Sequence, residues 1–133
     1  MSDFRDRVAV ITGGAHGIGL CIREELEKRG AKTEVIDIRE GDHYAGDLSK
    51  KEVLEDFVRY VIEKHGHVDY LVNNALPLMK GIDECSYEEF QYALAVGVTA
   101  PFYLSKLFLP YFRKGAAIVN ISSSRDRQSQ PQT

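Results

Sequence analysis

The chain is poor in cysteine, in proline and in long hydrophobic runs, and it has no excess of basic residues. Two cysteines among 133 residues, Cys21 and Cys85, lie far apart. They read as two reduced thiols of a cytoplasmic protein rather than as a disulfide framework. A net charge of −3 gives no positive field to draw nucleic acid, so no nucleic-acid partner is expected. No uninterrupted apolar stretch approaches the ~20 residues that span a bilayer, so no membrane partner is expected. The opening "MSDFRDR" has no apolar core, which excludes reading it as a secretory leader. No internal repeat and no metal-ligating pattern is visible.

What is present is apolar and periodic. Hydrophobic residues make up 44% of the chain, enough for one core and one domain over 1–133. "RVAVIT", Arg7 to Thr12, is a short β-branched run bounded by glycine and reads as a buried strand. A helix is expected from Gly17 to Arg29, with Ile18, Ile22 and Leu26 on its inner face and Cys21 packed beside them. "TEVIDI", Thr33 to Ile38, reads as the second strand, and a short strand is expected within His43 to Leu48. Ser49 and Glu52 have capping-box spacing and open a helix that ends at Gly66. "VDYLVNN" is the next strand. Ser86 and Glu89 form a second capping box, opening a helical region to Lys114 that is interrupted near Gly97 and Pro101. "AAIVNI", Ala116 to Ile121, is the last strand. Apolar strands alternating with helices predict a doubly wound α/β domain with a parallel sheet.

Between the first strand and the first helix lies "TGGAHGIG". Gly13 permits the tight turn, Gly17 lets backbone approach a pyrophosphate, and Gly19 lets the helix pack against the sheet. The helix N-terminus then faces the phosphates with free N–H groups. The same glycines also suit a plain connecting turn. Asp37, at the end of the second strand, favours the dinucleotide. A carboxylate there accepts the adenosine ribose hydroxyls and repels a 2′-phosphate, which selects NAD over NADP. A solvated strand-end aspartate is the alternative. His16 reads as an exposed loop residue rather than a catalyst.

Five segments together resemble the short-chain dehydrogenase/reductase family. They are the "TGGAHGIG" turn, "VIDI", "GDL" at Gly46 to Leu48, "LVNNA" at Leu71 to Ala75, and "IVNISSS" at the end of the last strand. The resemblance implies a Rossmann-type sheet that stops after its fifth strand. It implies that Gly13, Gly17, Ile18 and Gly19 surround the pyrophosphate of NAD, and that Asp37 holds the adenosine ribose. Asp47 and Leu48 would flank the adenine, and Asn74 and Ala75 the nicotinamide-side ribose. Ser123 matches the serine that hydrogen-bonds a small alcohol or ketone substrate. The family's tyrosine and lysine would fall just past Thr133. The expectation is therefore the N-terminal part of an enzyme about twice this length, with residues 125–133 a polar loop. An inactive NAD-binding module is the alternative, and a site for a different nucleotide such as S-adenosylmethionine is a weaker one.

Two positions depart from the family's pattern. Leu76 stands where it has a glycine, and Gly97 where it often has an asparagine. Tyr60 and Lys64 have the family's tyrosine–lysine spacing, but on a helix expected to cover the sheet face. The apolar surplus around residues 90–112 implies a homo-oligomer formed through the long helix.

Overall fold

The computed structural model describes residues 3–77 and 80–123. Ser124 and the expected polar tail over 125–133 lie outside them. The elements run β1 (Val8–Thr12), α1 (Gly17–Lys28), β2 (Lys32–Asp37), β3 (Tyr44–Ala45), α2 (Lys51–His65), β4 (Val68–Asn73), α3 (Tyr87–Leu94), α4 (Ala100–Phe108) and β5 (Phe112–Asn120). All paired strands are parallel, in the order β3-β2-β1-β4-β5. β1 is central and every one of its residues is buried, which is why its sequence is apolar without alternation. The chain leaves β1 towards β2 on one side and reaches β4 on the other. The carboxyl ends of β1 and β4 thus flank the point where strand order reverses, the usual crevice of such sheets.

The two sheet faces are packed unequally. Val8 and Val10 of β1 point to the face covered by α2 and α4, where Phe57, Val61, Leu104 and Phe108 complete the main core. Ile11, Val35 and Val72 point to the other face, where Ile22 and Leu26 of α1 meet them. β5 is an edge strand with largely exposed residues, including Ile118 and Val119.

Several expectations need correction. Cys21 is exposed rather than packed. Ile18 is also exposed, because it borders the open cleft at the start of α1, and Ile22 and Leu26 are the α1 side chains that pack on the core. The Ser49 capping box does not form. Lys50 is the N-cap of α2 and uses no side-chain bond, while the Ser49 N–H donates to Asp47 Oδ1 at 2.9 Å. The aspartate, two residues upstream, captures the N–H first. Gly66 does end α2, in a left-handed conformation. The Ser86–Glu89 capping box is present with both bonds at 3.0 Å.

The interruption expected near Gly97 is a π-helical segment, Ala95–Thr99. Pro101 follows in the first turn of α4, where its missing N–H falls at the change of hydrogen-bond register. The helix does not run to Lys114. A 3₁₀ turn at Leu109–Tyr111 ends it, and the chain becomes extended at Phe112, four residues earlier than expected. The reason is Asp69. Arg113 puts Nε and Nη2 on its carboxylate at 3.0 and 2.8 Å, and the register slips there between Val68 and Tyr70. The continuous helical run Tyr87–Tyr111 is by length and composition apolar enough to cross a membrane, which no single uninterrupted stretch had indicated. In this fold Val96, Ala100, Leu104 and Phe108 of that run are core residues.

Candidate functional site

The sheet's switch point opens into a cleft of about 400 Å³. Five segments build it. The glycine turn supplies Gly13, His16, Gly17 and Ile18. The end of β2 supplies Asp37 and Ile38, the β3–α2 connection Gly46 and Leu48, and the segment after β4 Asn74 to Pro77. Tyr92 of α3 and Val96 close the remaining wall.

Hydrogen bonds explain why the turn holds its shape. Thr12 is buried at the end of β1, and its Oγ1 accepts from the backbone N–H of Asn74 and of Ala75, both at 3.0 Å. Asn74 returns the contact, with Nδ2 donating to the carbonyls of Thr12 at 3.1 Å and Gly13 at 3.2 Å. The glycine turn and the end of β4 are thereby one unit. Gly19 lies inside it. A Cβ there would stand 2.4 Å from both Gly13 O and Asn74 Nδ2. Gly17 is the opposite case. Its φ of +58° favours glycine, and a Cβ there would meet nothing within 4 Å. It borders open cleft.

Asp37 is 4% exposed. Its Oδ2 accepts from Ala15 N–H at 3.1 Å and its Oδ1 from Arg39 N–H at 3.0 Å. The carboxylate therefore also braces the glycine turn, a role its spacing did not reveal. His16 is exposed, as its place in the loop implied, with Nε2 3.8 Å from Asp37 Oδ2. His16 is the N-cap of α1 but makes no side-chain cap, and no acidic residue occupies the helix's first turn. No carboxylate within α1 itself offsets its positive end, and Asp37 engages the N–H of Ala15, just before the N-cap.

Of the residues singled out in the sequence, Gly13, Gly17, Ile18, Asp37, Leu48, Asn74 and Ala75 converge on the cleft. Gly19 packs beneath it. Asp47 stands off the wall and is bonded through Oδ1 to the Tyr92 hydroxyl at 3.2 Å. Burial opposes its ionisation, but the Ser49 N–H and hydroxyl, Tyr92 and nearby Lys50 outweigh that and hold its carboxyl below the usual range. Ser123 is exposed, three residues past the end of β5, and does not line the cleft. Leu76 is largely exposed on the cleft rim. Gly97 has room for a side chain, since a Cβ would come no closer than 3.9 Å to Pro77 Cδ. Tyr60 and Lys64 line a different, polar depression beside Glu34 and His43. Lys64 is committed there to Glu34 at 3.0 Å. Sequence reasoning missed Tyr92 and the bracing role of Thr12, both of which act through contacts over 45 residues or more. Among the described residues no cluster suited to a metal ion occurs.

A family profile described as Enoyl-(Acyl carrier protein) reductase matches residues 13–133. The chain belongs to the short-chain dehydrogenase/reductase family. It is 32% identical to an uncharacterized oxidoreductase of Thermotoga maritima, over 96% of this chain and 57% of that one. An apo SCOR enzyme from Clostridium thermocellum superposes with a TM-score of 0.86 at 38% identity, over 99% of this chain and 58% of that one. A metagenomic short-chain oxidoreductase in complex with NADP superposes with a TM-score of 0.85 at 28% identity, over 96% and 66% respectively. The chain thus spans little more than half the length of the curated relatives it matches. The family consists of oxidoreductases that use a nicotinamide cofactor on small molecules.

Proposed function

We propose that this chain is the NAD-binding part of a dehydrogenase that moves hydride between nicotinamide and an alcohol or carbonyl carbon of a small molecule. The observation that carries the proposal is the N-terminus of α1 opening on the cleft at Gly17, with no side-chain cap, no acidic residue in its first turn and free space beside the backbone. That is the donor set and the clearance a pyrophosphate requires. Gly13, Gly17 and Ile18 would lie along it, with Gly19 allowing α1 its close approach. Asp37 would accept the adenosine ribose hydroxyls, and Leu48 with Asp47 would bound the adenine. Asn74 and Ala75 would border the nicotinamide-side ribose, and Ser123 would hydrogen-bond the substrate oxygen. The cofactor supplies the hydride chemistry, and the protein supplies position and electrostatics.

NAD is favoured over NADP because a buried Asp37 carboxylate adds negative charge where a 2′-phosphate would sit. His16 and Arg39 beside it supply the case for NADP, with which two structural relatives are complexed. Calorimetric titration decides this. Tighter binding of NAD supports the reading, and tighter binding of NADP overturns it.

Tyr87, Phe90, Leu94, Val98, Phe102 and Leu109 form an exposed apolar stripe along the long helical run, which supports a homo-oligomer through this face. Sedimentation at micromolar concentration tests it, and a monomer there would refute it. A cytoplasmic location belongs to the same proposal, and cell fractionation tests it.

A further inference from the structure

We draw no further inference here: the strongest candidate, the polar depression between α1, β2 and α2 lined by Arg23, Glu34, His43, Tyr60 and Lys64, carries nothing because its lysine and arginine are already paired, Lys64 with Glu34 and Arg23 with Glu27, and nothing in the structure shows what fills it.

Discussion

Substituting Asp69→Asn should destabilise the fold by about 3 kcal/mol at neutral pH. Asp69 is fully buried at the amino end of β4. Its Oδ2 accepts the Val8 N–H at 2.9 Å, Arg7 Nη1 donates to Oδ1 at 2.9 Å, and Arg113 binds both oxygens. The carboxylate ties β1, β4 and the start of β5 together. Burial alone would raise its pKa, but the Arg113, Val8 and Arg7 hydrogen bonds overcome this and lower it from 3.8 to about 2. That shift corresponds to about 2 kcal/mol of stability carried by the charged form. An asparagine removes the charge and turns an N–H₂ group towards donors, which accounts for the larger figure. The total for a domain of this size is about 5–15 kcal/mol, so the variant should fold with a clearly lower urea midpoint.

The pH dependence follows from the sign of the shift. A pKa lowered on folding means that the unfolded chain binds the proton first. The contribution is complete above about pH 4 and is lost as pH falls towards 2. Urea unfolding at pH 7 and at pH 2.5 should show the wild type converging on the variant. A loss below about 1 kcal/mol at pH 7, or parallel acid profiles for the two proteins, would refute the reasoning.

The glycines of the turn should separate stability from binding. Gly17→Ala should cost about 1 kcal/mol for its left-handed backbone yet sharply weaken NAD binding, because the methyl group enters open cleft. Gly19→Ala should cost about 3 kcal/mol, because its Cβ meets Gly13 O and Asn74 Nδ2 within the protein. Thermal unfolding and titration of both variants check the contrast, and equal stability losses would contradict it. Thr12→Val keeps the shape but strands two backbone N–H groups. It should cost about 2 kcal/mol by urea unfolding, and a neutral effect would show that Thr12 does not brace the turn. Phe102→Glu, on the exposed stripe, should leave the monomer's stability within about 0.5 kcal/mol and dissociate any oligomer. Unchanged sedimentation would place the interface elsewhere.

The sheet, its direction and most of the cleft were legible because their signals are local. A β-branched apolar run buried on both faces cannot alternate, and β1 and β4 do not. Glycine spacing after β1 marked the turn, and Asp37 marked the end of β2. What the sequence hid depends on pairs distant along the chain. Arg113 meets Asp69 across 44 residues and so draws Phe112 into β5 where helix was expected. Tyr92 meets Asp47 across 45. No periodicity announces such contacts, and a tyrosine on an amphipathic helix looks like any other. The failed Ser49 cap shows a local competition, in which Asp47 reached the same N–H by a shorter path.

The most direct test of the central claim is calorimetric titration of the protein with NAD, with Gly17→Ala as the reference. The account predicts one saturable site, weaker binding of NADP, and loss of binding in a Gly17→Ala variant that remains folded. A folded wild-type protein that gives no saturable heat with either dinucleotide would contradict it.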